Sequence, residues 1–420
     1  MTFPLKKDHL KRTLEVIRDK PAIVEQPAKK KVKVFDFSIH PKRKIAVKFL
    51  YYGWEHDGLV QQANTENTVE NKLREALLKT KLIEDWSSCD LSRCGRTDKG
   101  VSAFKQVAAL VVRSCNTDDP NVFWPEGTLE QVKSSYQSKP ELSYLKMLNG
   151  VLPPTIKAVA WCDVPRDFSA RHGCNMRIYK YSLPKANLNI EKMRDAASRL
   201  VGKHDFRNFS QIDMNEARVV MSYVREIFEV TVDDLGSSND PSGLVELTVK
   251  GSGFLWHMIR FIVTVLHEVG RGKEEPEVSY ILIRLFNMMF SIVSNLLDVE
   301  KFPRRPHYAL AVDRPLCLFD CRFDAFEMKW NYDEKCLEKT VRDLQVTMAD
   351  YLTKARLIRN MIDDLMELPE SSEIDLNKGL LEFTQDRGLP VNYVPFKDRS
   401  TCDSLEEKLE KIKCKRDAKM

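Results

Sequence analysis

None of the ten cysteines belongs to a Cys-x-x-Cys pair, and no secretory signal precedes them. They are therefore expected to be reduced thiols of an intracellular protein, which sets a disulfide framework aside. An excess of one charge is missing too. The formal net charge is +5, but residues 1–50 carry +9 and the remainder −4, so any phosphate-binding track has to be a local patch. No long apolar run is clean: Val278 to Leu297 has the length of a membrane span, yet Arg284, Asn287 and Asn295 interrupt it. A buried or partner-facing helix is the expectation there.

What is present is a chain of 420 residues, 43% hydrophobic, long enough for two to three domains. Residues 1–43 read as a largely flexible basic extension. Its run Lys29-Lys30-Lys31-Val-Lys33 fits a solvated charge run at least as well as a nuclear address or an RNA-contacting tail. Period-2 alternation at Ile45, Val47, Phe49 and Tyr51 predicts a first strand, and Val69, Leu73, Ala76 and Leu77 predict a helix capped by Asn67 or Thr68. Strands are expected over 106–113, 155–164 and 177–183, with a hairpin from 222–232 and 244–250. Helices are expected over 143–148, 190–201 (stopped by Gly202) and 254–269. Two closing strands are expected from Pro306 to Phe323, and an amphipathic helix or helix pair over 336–367.

One loop carries chemistry. Arg93-Cys-Gly-Arg-Thr-Asp-Lys-Gly-Val-Ser-Ala-Phe104 sets Asp98 in a turn between Gly95 and Gly100, with Arg96 and Lys99 close by. Nearby cations favour an ionised carboxylate and lower its pKa, and the glycines allow a close approach to a ligand. A hairpin turn with solvated charges is the bland alternative. By the same reasoning His257 and His267, on an apolar helix face, read as core residues and not as ligands; no metal is expected.

The loop does not stand alone. Gln61-Gln62 with Thr68-Val69-Glu70, the segment Phe168-Ser-Ala-Arg171 followed by Arg177-Ile-Tyr179-Lys-Tyr181, Leu200-Val-Gly202-Lys-His204-Asp205-Phe206, and Gly253-Phe-Leu-Trp-His257-Met258-Ile-Arg260 follow in order. Together with GRTDKGVSA they resemble the signature segments of the TruA family of tRNA pseudouridine synthases. The form RCGRTDKGVSAF, with Phe35-Asp-Phe-Ser38 and Tyr393-Val-Pro-Phe-Lys-Asp-Arg399, is similar to the eukaryotic branch acting on positions 38 and 39 of the anticodon stem-loop.

The resemblance implies an α+β pseudouridine synthase fold: two mixed subdomains, 44–160 and 161–326, with antiparallel sheets side by side around a central RNA-binding cleft, and a helical, partly flexible extension over 327–420. It implies Asp98 as the catalytic residue, Tyr179 stacking on the target uracil, Arg96 pairing with Asp98 and occupying the space of a displaced base, and tRNA as partner. Arg171 and Lys180 are candidate phosphate contacts or ion pairs; His204 and Asp205 more readily fix a turn. No cofactor is implied, a homodimer is possible, and cytoplasm and nucleus are the expected compartments. A non-enzymatic RNA-binding protein using the same cleft is the alternative. A glycoside or nucleoside hydrolase would want a second positioned carboxylate, and no motif supplies one.

Overall fold

Strand β1 (Lys42–Tyr51) is buried along most of its length because it has neighbours on both edges: β3 (Ser102–Arg113) on one, β4 (Val122–Phe123) and β5 (Ile156–Asp163) on the other. A strand enclosed in this way reads as a dense β-branched and apolar run, as β3 does from Val107 to Val112. In this computed structural model the described residues are 35–213, 219, 221–236, 242–274, 292–324, 327–385, 388–390 and 392–417. The expected boundary at 160/161 falls inside β5, a strand of the first half's sheet.

The second half repeats the construction. Strand β6 (Met176–Pro184) pairs with β9 (Leu244–Gly251), β9 with β8 (Val224–Asp234), and β8 with β7 (Gly202–Asp205), all antiparallel. The two halves join through β10 (Leu316–Arg322), which is antiparallel to β6 and parallel to β3 at Cys317↔Ser102 and Leu318↔Ala103. With β2 (Ser92–Arg93) on β3, the described strands form one ten-stranded mixed sheet. The expected side-by-side sheets are thus edge-joined, and the candidate site lies along that seam.

Helices pack on this frame. Helix α1 (Val69–Lys79) starts where Thr68 accepts a hydrogen bond from Asn71 N, one of the orphan donors of the first turn. Helices α2 (Glu130–Ser135) and α3 (Tyr144–Asn149) follow, and α4 (Ile190–Ser198) packs on β8 and on α5 (Met258–Gly270). Helix α5 is buried along its whole length. Within Val278–Leu297 only the end is described, as helix α6 (Ile292–Leu297) with Ile292, Val293 and Leu296 buried; the rest of that stretch and the basic arm 1–33 lie outside the described residues. No described helix is long and apolar enough to cross a membrane.

Three expectations are corrected. Helix α5 starts four residues later than its apolar spacing predicts, because His257 sits in the left-handed region at φ +62°, where a right-handed helix cannot run through it. Gly202 does not end α4 but opens β7. Between Pro306 and Phe323 there is one strand, not two. The backbone of 307–312 is satisfied elsewhere: Ala311 O accepts from Arg260 Nε (2.6 Å), Ala309 O from Thr264 Oγ1 (3.0 Å), Val312 O from the Tyr181 hydroxyl (3.0 Å), and Val312 N donates to Thr384 O (3.1 Å). A segment whose carbonyls are claimed by side chains has no need of a ladder.

The C-terminal region holds one unbroken helix, α7 (Glu334–Met366), then α8 (Leu376–Phe383) and α9 (Leu405–Asp417). Between α8 and α9 the chain docks on the second half. Phe396 is buried and stacks on Tyr308 (4.8 Å), while Glu274 accepts from the Tyr393 hydroxyl (2.6 Å) and from Phe396 N (2.7 Å).

Candidate active site

The Asp98 loop is pinned at nearly every residue. Thr97 Oγ1 lies 2.7 Å from the Tyr51 hydroxyl, and Thr97 O accepts from Leu59 N at 3.1 Å. Asp98 O accepts from Val101 N (3.2 Å), and Gly100 N donates to His56 O (3.3 Å). The Gln106 carboxamide, fully buried, holds Gly95 in both directions, accepting from its N–H and donating to its carbonyl. Gly100 is obligatory here: its φ is +79°, and a Cβ would stand 2.6 Å from the Asp313 carboxylate.

Across the seam, Arg177 on β6 spreads its guanidinium over four carbonyls. It donates to Cys94 O (2.9 Å), Arg171 O (3.0 Å), Cys174 O (3.2 Å) and Ser252 O (2.7 Å). The planar fork suits this task, since five fixed N–H vectors can serve several acceptors at once. One side chain of the second half thereby fixes the loop of the first.

The Asp98 carboxylate is 37% exposed, and its surroundings come from the segment before α5. His257 Nε2 lies 3.5 Å from Asp98 Oδ2, and the Trp256 side chain hydrogen-bonds to the carboxylate. Burial pushes the Asp98 carboxyl up; the Arg260 guanidinium and the Trp256 hydrogen bond pull the other way without cancelling it, and Asp313 adds to the rise. This corrects the expected lowering. Lys99, one residue on, has its ammonium on Asp57 (2.9 Å), and the cation acting on Asp98 is Arg260, buried one turn into α5.

The other expected residues divide. Tyr179 is buried, set edge-on to Phe254 (5.1 Å), with its hydroxyl toward Gly95 in the Asp98 loop; burial pushes its phenol well above the usual tyrosine range, so it stays protonated. Tyr181 shares its face and is tied to Val312 O. Lys180 alternates to the opposite face, where it pairs with Glu246 (2.5 Å) and lies over Phe319 (4.5 Å), so it takes the ion-pair role and not one beside Tyr179. Arg96 and Arg171 are exposed next to the pinned loop. His204 bonds to Val201 O and Asp205 to Arg207 N and its guanidinium, as turn-fixing groups do. His267 is fully buried and its pKa is drawn down to about 3 by desolvation, which keeps it neutral in the core.

Comparison with known proteins now decides the family. Residues 196–324 match the tRNA pseudouridine synthase family. The chain is 54% identical over 386 residues to the "Probable tRNA pseudouridine synthase tag-124" of Caenorhabditis elegans, covering 91% of this chain and 92% of that protein. The chain belongs to the tRNA pseudouridine synthase family. Further members similar to it are the "tRNA pseudouridine(38/39) synthase" of Bos taurus, 36% identical over 90% of this chain and 78% of that one, and that of Saccharomyces cerevisiae, 38% identical over 91% and 80%.

As a pseudouridine synthase the protein is an isomerase, and its sheet, with helices over it, has the architecture expected of the family. Residue-by-residue reading passed over two neighbours of Asp98, His257 and Arg260, absorbed into an apolar helix pattern, and the anchor of its loop, Arg177, taken only as part of a motif. A signal was there for the first two, since His257 and Arg260 bracket Met258-Ile259 inside an otherwise apolar run.

Proposed function

We propose that this enzyme converts uridine to pseudouridine at positions 38 and 39 of the tRNA anticodon stem-loop, with Asp98 as its catalytic residue. The observation that carries the reading is the loop's construction: a half-exposed carboxylate, rigidly held at the seam and flanked by Arg260, His257 and Trp256 from the other half. The choice of positions rests on the relatives named tRNA pseudouridine(38/39) synthase.

The reaction breaks the N1–C1′ bond, turns the uracil, joins C5 to C1′ and removes the C5 proton. A positioned carboxylate serves as nucleophile at C1′ or C6, or as the base of a glycal route. A carboxyl with a raised pKa is suited to both, being a stronger base than a solvated one and desolvated enough to attack. The target base must leave the stem, and exposed Arg96 and Arg171 beside the loop are the groups we assign to backbone phosphate or to the vacated stack, with Tyr179 beneath the flipped ring.

Unmodified tRNA transcripts incubated with the protein, then mapped for pseudouridine, test this reading. Modification at positions 38 and 39 that Asp98→Ala abolishes is expected; product elsewhere, or an active variant, overturns it.

We further propose a homodimer built on α7. From Val341 through Leu344, Met348, Tyr351, Ala355, Ile358 and Ile362 to Leu365 the spacing alternates between three and four residues, the seam of a two-stranded coiled coil. Met348, Ile358 and Leu365 on that seam are each more than half exposed, and 33 helical residues extend about 50 Å. A stripe that long on a water-facing helix is accounted for by a second copy of itself. Cytoplasm and nucleus are the proposed compartments, on the basis of ten cysteines of which none is in a disulfide. A fluorescent fusion found only in another compartment would contradict that.

A further inference from the structure

Cys94, Cys174 and Cys321 are distant in sequence, yet their sulfurs all lie within 4.8 Å of one another and all three residues are buried. Each arrives from a different element. Cys94 follows β2 and opens the Asp98 loop, Cys174 leads into β6, and Cys321 lies near the end of β10.

A local irregularity makes the convergence possible. In the β10–β6 ladder Leu318 faces Tyr179, and strict alternation would send Cys321 to the opposite side of the sheet. A register shift between Leu318 and Asp320 restores it to the near face, opposite Arg177. The backbone is fixed as well. Arg177, which holds the Asp98 loop, does so at the carbonyls of Cys94 and Cys174 themselves.

Three buried thiols gathered this closely are the donor set of a soft-metal site, because cation binding displaces their protons and turns each into a thiolate ligand.

We propose that Cys94, Cys174 and Cys321 form a three-thiolate site for one thiophilic d10 metal ion, with Zn2+ as the first choice. Thiolates bound to zinc at about 2.3 Å stand about 3.8 Å apart, so small side-chain rotations close the site. Three thiolates, a divalent ion and the Arg177 guanidinium sum to zero net charge, which removes the main objection to burying them. The fourth tetrahedral position is left to water or a small anion. A bound ion clamps the first half's loop to both β6 and β10. This inference stands whether or not Asp98 is catalytic.

The full chain, reduced, treated with chelator and desalted, is titrated with Zn2+ alone against a chromophoric chelator, and with Cd2+ while thiolate-to-metal charge transfer is followed in the ultraviolet. We expect one equivalent of either ion, three-thiolate band intensity, and a higher Tm with Zn2+. Cys94→Ser, Cys174→Ser and Cys321→Ser should each weaken binding at least about 10-fold, whereas Cys336→Ser and Cys402→Ser should not. A readout without variants uses the native chain in mild urea, where Zn2+ should slow alkylation of these three cysteines and of no others, mapped by mass spectrometry. Less than one equivalent bound, no charge-transfer band, or protection spread over other cysteines would overturn the proposal.

Discussion

Arg177 on β6 donates to the carbonyl oxygen of Cys94 at 2.9 Å, so the loop carrying Asp98 is held by a strand of the other half of the sheet. The same guanidinium serves three more carbonyls, and a lysine ammonium lacks the planar reach to replace it. Arg177→Lys keeps the charge and abandons at least two acceptors, a loss of about 2 kcal/mol at ~1 kcal/mol for each. Urea unfolding should show that loss, and kcat should fall more than KM for tRNA changes. An unaltered kcat would mean the loop keeps its geometry without Arg177.

Asp98 makes a second case. Its folded-state pKa is raised, so its ionised form costs stability at every pH above the unfolded value of about 3.9 and costs nothing below it. Asp98→Asn should therefore raise Tm at neutral pH, on the order of 1 °C given the partial exposure, while activity is lost. The stability gain should shrink as pH falls through the raised pKa. A variant less stable than wild type at pH 7 would contradict the assignment of burial as the dominant cause.

His257, 3.5 Å from Asp98, is expected to position that carboxylate. His257→Gln retains a hydrogen-bonding group in a different geometry. We expect kcat lower by about 10-fold to 100-fold with KM for tRNA within about threefold. An unaltered kcat would leave His257 a packing residue.

The α7 seam is tested by Ile358→Glu with Ile362→Glu. Both are exposed in the single chain, so folding should be unaffected. Sedimentation at micromolar concentration should report a dimer for wild type and a monomer for the double variant. A monomeric wild type ends the proposal.

Much of the frame was legible in the chain itself. The strands at 42–51 and 176–184 and the capped helix at 69–79 follow from alternation, helical spacing and Thr68, all local properties. The start of α5 was not, because Phe254 and Leu255 continue the apolar spacing while the backbone at His257 departs from it. Asp98 was legible as a candidate, its ionisation was not. Arg96 and Lys99 are its neighbours along the chain, yet solvation is set by what covers the carboxylate, and that comes from Trp256 to Arg260. The thiol cluster was invisible for a related reason: it depends on the register shift in β10, which no spacing of cysteines announces.

Strand β10 stands in the middle of the sheet but is the last of the described strands to be made. During synthesis the ribosome must therefore release residues through about Arg322 before the two halves can be sewn together. Until then β3 and β6 each offer an unsatisfied strand edge of the kind that invites pairing with other chains. A nascent chain stalled or cleaved ahead of Leu316 has every residue of the Asp98 loop and none of the assembled enzyme, and it should be a client for chaperones more than a smaller version of the catalyst.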